Sequence, residues 1–297
     1  MINELIEFLR YIKKKPLYIF GFIIVIIFIA IGLTAPYILT RPEDAWGLTY
    51  DVKNSLKPPS LEHPFGTDIF GRDMFNRVLL GTRYSLFIAI SVVGLSLIIG
   101  VVIGLIAGYI GGWVGIGLMR IVDMFLAFPP LLLAIAMAAV IGRGVSTTII
   151  ALAISWWPWY ARLMFIATNS VKNSPYIDAA RALGLNELTV MFRHILPNSI
   201  TPVITQATLD LGSAVLEASS LSFLGVGVPP PIPEWGRLIG EGWNLIDKAW
   251  WVSVFPGLAL LLTVIGFNLL GDAVKEYMNP RIRSTAVTVR PRWIYRY

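Results

Sequence analysis

Two carboxylates carry the most specific chemistry in this chain of 297 residues. Asp210 and Glu217 lie seven residues apart in a stretch, 198–225, that holds no other charge. In a helix that spacing puts both on one face. An ionisable group in so apolar a segment is costly to desolvate, which makes it a functional candidate. Three uses are open to the pair: ion pairing with arginines, lining a wet path that favours a cationic group, or standing protonated as hydrogen-bonding groups. Other chemistries are poorly supplied. The chain has no cysteine, which excludes disulfides, thiolate ligands and thiol nucleophiles. His63 and His194 are its two histidines, too few and too far apart for a multi-histidine metal site. No nucleophile stands beside a base at helical spacing, and no G-x4-G-K-[S/T] phosphate loop occurs. We expect no catalytic residue, no metal and no cofactor on this chain.

The elements that hold the carboxylates are membrane helices. The chain is 56% hydrophobic and 14% charged, with mean hydropathy +0.71. A soluble domain carries about 25% charged residues, so a water-soluble fold is excluded. A bilayer core of about 30 Å needs roughly 20 apolar helical residues. Charge-free runs at 16–40, 84–119, 124–142, 144–161 and 249–271, together with the stretch holding the carboxylates, predict six transmembrane helices at 17–39, 84–109, 119–141, 146–168, 198–225 and 252–277. Backbone groups in lipid must be bonded within their own segment, so the fold is expected to be all-α. Arg10 and Lys13-Lys14-Lys15 precede the first span as in a signal peptide, but the apolar run is too long and no small-x-small cleavage site follows. It reads as a retained anchor. Basic residues concentrate on the inner side of a membrane. With the N-terminus inside, six spans return the C-terminus inside, and the net charge of +6 collects on the cytoplasmic face. Anionic lipid or a cytoplasmic protein suits that face, and nucleic acid is not needed to explain it.

The chain then divides into a cytoplasmic segment 1–16, a first span 17–39, an extracytoplasmic loop 40–83, a five-span core 84–278 with a cytoplasmic elbow at 170–197, and a basic cytoplasmic tail 279–297. Within the outer loop, 70–83 reads as a short amphipathic helix with Asp73 and Arg77 as a surface i,i+4 pair. Gly100, Gly104 and Gly108 form a smooth stripe suited to close helix packing, or to a hinge. Pro129-Pro130 and Pro158 are expected to bend or break their helices. Trp250 and Trp251 read as interfacial anchors. Asp123 is expected to pair with Arg120 three residues earlier. In the elbow, Ser174 can cap a helix that opens with Pro175, and Gly184 suits the left-handed residue past its end. Asn186 caps a second helix that runs to about Ile195, before Pro197. Ala179, Ala180 and Ala182 make the first helix thin enough for a groove on another protein, or it lies on the membrane surface.

This elbow resembles the signature of ABC importer permeases, E-A-A-x3-G-x9-I-x-L-P. Asp178-Ala179-Ala180, Gly184, Leu196 and Pro197 match at the right spacing, with Asp178 in place of Glu and His194 in place of Ile. Arg193-His194-Ile195-Leu196-Pro197-Asn198 is similar to the dipeptide/oligopeptide/nickel branch. So are His63-Pro64-Phe65-Gly66-Thr67-Asp68 with Gly71-Arg72-Asp73, Arg120 and Asp123 with Pro129, Tyr160-Ala161-Arg162, Leu221-Ser222-Phe223-Leu224-Gly225, Pro233-Glu234-Trp235-Gly236 and Asn279-Pro280-Arg281. The resemblance spans about 15–283. It implies a type I ABC importer permease fold and a C-type subunit in the cell membrane. A homologous B-type permease would complete the path, two ATPase subunits would bind ATP and Mg beneath it, and an extracytoplasmic binding protein would deliver substrate. The implied ATPase-coupling residues are Tyr176, Asp178, Ala179, Ala180, Arg181, Leu183, Gly184, Leu196 and Pro197. Glu217 fits an acidic position of this branch, whereas Asp210 matches no motif in it. Di- or oligopeptides are the substrate implied first, with oligosaccharides or nickel as alternatives. An ion-coupled secondary transporter would account for the two carboxylates but leaves the elbow unexplained.

Overall fold

The computed structural model describes residues 2–278, so the basic tail and the Asn279-Pro280-Arg281 match lie outside the described residues. An amphipathic helix α1 (Ile2–Ile12) leads into α2 (Pro16–Ile38). The long helix α3 (Met74–Ile110) follows the outer loop. Next come α4 (Gly112–Leu126), α5 (Pro130–Ile141) and α6 (Val145–Lys172). The elbow contains α7 (Pro175–Ala182) and leads to α8 (Thr201–Phe223). A short α9 (Trp235–Trp243) precedes α10 (Trp251–Met278). The described residues form an all-helical fold with one isolated β-bridge, Thr67 to Asp73.

Four helices, α2, α3, α6 and α10, are long and apolar enough to cross a membrane. The α4–α5 pair is a fifth such element, broken at 127–129 and bent by 87°. The expected third span is therefore two helices, because neither Pro129 nor Pro130 has the backbone N–H a continuous helix needs. Pro158, by contrast, lies inside an uninterrupted helix. The helix α8 is 23 residues long, about 34 Å at 1.5 Å per residue, and carries the two carboxylates.

The helices alternate between two ends of the bundle. At the elbow end, Lys15 forms an ion pair with Glu276, and Tyr18 donates to the same carboxylate at 2.6 Å. Glu276 holds the Lys15 ammonium above its ordinary pKa through this hydrogen bond. At the opposite end, residues 39–73 and 224–250 pack together as a lid. There Trp251 Nε1 donates to the Thr67 carbonyl at 3.0 Å and Trp235 Nε1 to that of Val78 at 3.1 Å. Trp251 is thus a buried tether between lid and bundle rather than an interfacial anchor, while Trp250 is half exposed.

The separate amphipathic helix expected at 70–83 is instead the first turns of α3. That helix has 37 residues, about 55 Å, and its first turns run beyond the bilayer thickness into the lid. Asp73 caps it by accepting from Asn76 N at 2.9 Å and lies 2.9 Å from His63 Nδ1. Arg77 is fully buried and pairs with Glu241 and Asp68, not with Asp73. The surface pair read from i,i+4 spacing is overridden because the lid covers this face.

The glycine stripe packs α3 against α6. A Cβ on Gly104 would stand 2.3 Å from the Ala161 carbonyl oxygen, and one on Gly100 2.5 Å from Tyr160 Cβ. Internal packing accounts for the stripe. Gly104→Ala is expected to destabilise the folded chain by about 1–3 kcal/mol through overpacking. Thermal melting of the detergent-solubilised protein checks this, and an unshifted melt with lost transport would favour the hinge instead.

Candidate functional site

Two sites emerge, one at the elbow end and one between α6 and α8. The elbow helix α7 opens on Pro175, and Ser174 makes no side-chain cap hydrogen bond. Gly184 ends it with φ +78° and donates its N–H to the Arg181 carbonyl at 2.9 Å. Asn186 does cap the next turn, accepting from Thr189 N at 2.7 Å. That turn continues as a π-helical segment (Val190–Ile195) and a further turn (Leu196–Ser199). Pro197 therefore sits within a first helical turn, where its missing N–H is tolerated, and does not end the helix.

The two faces of α7 differ. Ile177 and Ala180 are buried against the bundle. Ala179, Asp178 and Gly184 are exposed, and Tyr176, Leu183, Leu188 and Phe192 are exposed at 45, 82, 66 and 55%. Arg181 faces inward, its guanidinium 5.9 Å from the Tyr109 ring centroid, with Asp178 and Glu187 carboxylates at 3.8 and 3.9 Å. Tyr109 also hydrogen-bonds the Glu187 carboxylate and accepts from Lys172 through its carbonyl. The elbow is thereby clamped to the end of α3. Asp123 pairs with Arg162 of α6, across the bundle, rather than with Arg120.

Asp210 and Glu217 share the face of α8 that meets α6. Asp210 accepts from the Tyr160 hydroxyl and from Gln206 Nε2, both at 2.8 Å. Glu217 accepts from Trp156 Nε1 at 2.8 Å. Neither carboxylate has an arginine or lysine partner among the described residues. Both line a cleft of about 260 Å³ with Trp156, Trp159, Ser155 and Ser213, and with Leu126 and Pro130 from the two sides of the α4–α5 break. The broken helix thus supplies one wall. The donors Trp156, Tyr160 and Gln206 are absent from the residues read off the sequence as functional. The spacing of Trp156 and Tyr160 puts them on one helix face, but nothing in sequence pairs that face with α8. Among the described residues, no three His, Asp or Glu side chains converge on a metal position.

The lid holds a third cluster, in which Asp68, Arg72, Arg77 and Glu234, quoted above only as motif or surface residues, meet Glu241 and Arg237, which were not singled out. Glu241 lies 3.3 Å from Arg77 Nη2, 3.3 Å from Arg237 Nε and 3.7 Å from Arg72 Nη2. Asp68 accepts from Arg72 Nε at 2.7 Å and lies 3.5 Å from Arg77 Nη1. Glu234, fully buried, accepts from Ser85, Ser219 and the backbone N–H groups of Gly236 and Arg237. The motifs at 63–73 and 233–236 are therefore parts that knit the lid to the bundle.

A family profile described as "Binding-protein-dependent transport system inner membrane component" matches residues 100–284. The chain is 42% identical over 278 residues to a dipeptide transport system permease protein of Alkalihalophilus pseudofirmus, covering 94% of this chain and 90% of that one. It is 40% identical over 277 residues to a glutathione transport system permease protein of Escherichia coli, covering 93% and 90%. Its fold is similar to an inward-facing structure of the MetNI methionine ABC transporter, with TM-score 0.57 and 20% identity, over 69% of this chain and 98% of that one.

Proposed function

This chain belongs to the family of binding-protein-dependent transport system inner membrane components, and on that premise we propose that it forms half the translocation path of an ATP-driven peptide importer. It is a multi-pass membrane protein and a transport subunit. Peptides are the substrate class favoured by the relatives' names, over oligosaccharides or nickel. The partners of this reading are a homologous permease, two ATPase subunits carrying ATP and Mg, and an extracytoplasmic binding protein. Six crossings, with both termini cytoplasmic, accommodate α8 as the remaining span and put the elbow on the ATPase side.

The observation that carries the coupling role is the elbow's outward face. An exposed row of apolar side chains beside a small residue, on a helix held by its other face, is what a protein groove accepts. Tyr176, Asp178, Ala179, Leu183 and Gly184 would meet an ATPase. Ala180 and Arg181 would hold the helix on the bundle, and Leu196 and Pro197 would join it to α8. Movement of the ATPases would pass through Tyr109 to α3, and through the glycine stripe to α6. The test is peptide uptake by proteoliposomes containing the full complex and its binding protein. Uptake should require ATP and ignore collapse of ion gradients, and the opposite pattern would support a secondary transporter.

Asp210 and Glu217 would line the path and favour a cationic peptide end. Their hydrogen-bond donors hold both carboxylates at the cleft wall, facing indole surfaces that also attract cations. Asp210→Asn should lower uptake of a peptide with a free amino terminus about tenfold, the size of one charge-assisted hydrogen bond. The N-acetylated peptide should be affected far less. Equal losses for both peptides would leave Asp210 a packing role only.

A further inference from the structure

We propose that a groove between α2 and α3 on the lid side binds one anionic phospholipid, its phosphate on Arg83 and an acyl chain along the groove. The groove has a volume of about 730 Å³, and Arg83 is the one charged residue lining it. Ile29, Leu33, Tyr37, Phe87 and Ile90 make up its apolar walls, with Trp46 and Tyr84 at the rim. Leu33 and Tyr37 are 69 and 88% exposed, and Trp46 packs edge-on against Tyr84 at 6.3 Å. Among the described residues, no side chain fills the space between these walls.

Arg83 is exposed and has no ion-pair or hydrogen-bond partner among the described residues. The lid arginines beyond it are different: Arg72, Arg77 and Arg237 all meet carboxylates. Its depth decides what anion can reach it. Arg83 Cα lies level with Gly32, 3.7 Å from where a Cβ on that residue would stand. Gly32 is six residues before the end of α2, about 9 Å along the helix. With this helix of about 34 Å centred on a core of about 30 Å, the Arg83 backbone stands about 7 Å below the headgroups, a depth from which an arginine extends its guanidinium up to the interface. A guanidinium forks onto phosphate through paired hydrogen bonds. Apolar groove, aromatic rim and an unpaired cation within reach of the headgroups together match a phospholipid, and the charge selects an anionic one. A protein helix would have to bring its own carboxylate to that level.

The inference rests on the membrane location alone and is independent of the coupling reading. The experiment is native mass spectrometry of the detergent-solubilised complex, after incubation with equal phosphatidylglycerol and phosphatidylcholine of matched chains. The wild type should retain phosphatidylglycerol with a roughly fivefold preference, the effect of one arginine at an anionic surface. Arg83→Gln should erase the preference without shifting the melting temperature. Arg143→Gln, which removes another exposed arginine, should leave it intact. A photo-crosslinker at Leu33 should label lipid. A preference that survives in Arg83→Gln, or that disappears equally in Arg143→Gln, overturns the site. Crosslinks to the second permease would do so too, making the groove a subunit interface.

Discussion

Ala179→Trp and Gly184→Pro will each abolish ATP-driven uptake while the chain still inserts and folds. The two changes act differently. Ala179 is exposed on the outward face of α7, so a tryptophan there meets no described part of this chain but would fill the groove that the proposed ATPase docking requires. Loss of a central contact costs an interface about 2 kcal/mol or more, roughly a thirtyfold weakening. Gly184 acts through the backbone. Its φ of +78° is unreachable for proline, and its N–H donates to Arg181. The proline variant therefore unwinds the end of α7 and displaces Leu183. Co-purification of the ATPases and peptide uptake should fall in parallel, with membrane insertion and the melting temperature of the permease pair unchanged for Ala179→Trp. Full ATPase retention in both variants ends the coupling assignment. Ala180 is a poorer probe, because it is buried against the bundle and a bulky residue there would damage the permease itself.

Glu241→Gln will destabilise the lid far more than Arg77→Met, although Arg77 is the more deeply buried of the two. Three arginines and two carboxylates meet in this cluster, and Glu241 touches all three guanidiniums. Neutralising it leaves three cations facing Asp68 alone. Removing one partner of a buried ion pair costs about 3–5 kcal/mol, and here the charge left behind is repelled as well. Arg77→Met moves the other way. It leaves Arg72 and Arg237 matched by Asp68 and Glu241, and removes a guanidinium whose Nε has no hydrogen-bond acceptor. Its expected cost is the smaller of the two, because the charges left behind still balance. Thermal melting of both variants in detergent, side by side, decides this. A larger loss for Arg77→Met would mean that the arginine, not the carboxylate, is the hub.

Much of this protein was legible in its residues because lipid imposes few choices. The helix at 17–39 and the last at 252–277 fall within a residue or so of α2 and α10. Charge-free length is a nearly sufficient signal there. The elbow was legible for a different reason. Pro175, Gly184 and Asn186 act on backbone torsions and N–H groups within a few residues, so their effect does not depend on distant neighbours. The Ser174 side chain, which makes no cap hydrogen bond, and the continuation past Pro197 are the exceptions.

Errors gathered wherever a side chain had to choose between a near partner and a far one. Asp73, Asp123 and Arg77 each had an oppositely charged residue at helical spacing, and each pairs elsewhere. An exposed i,i+4 pair contributes only about 0.3–0.5 kcal/mol, which burial against another element easily exceeds. Trp251 followed the same rule, leaving the interface for a carbonyl 184 residues away. Sequence by itself determined the membrane class, the helical content, the elbow and the presence of two carboxylates on one helix face. Each of these depends on local hydropathy or local torsion. Tertiary structure alone decided that the carboxylates face Trp156 and Tyr160, that Glu241 joins three arginines, and that Arg83 is left without a side-chain partner among the described residues. Those outcomes depend on which helix faces meet, and that is settled by packing across long separations in the chain.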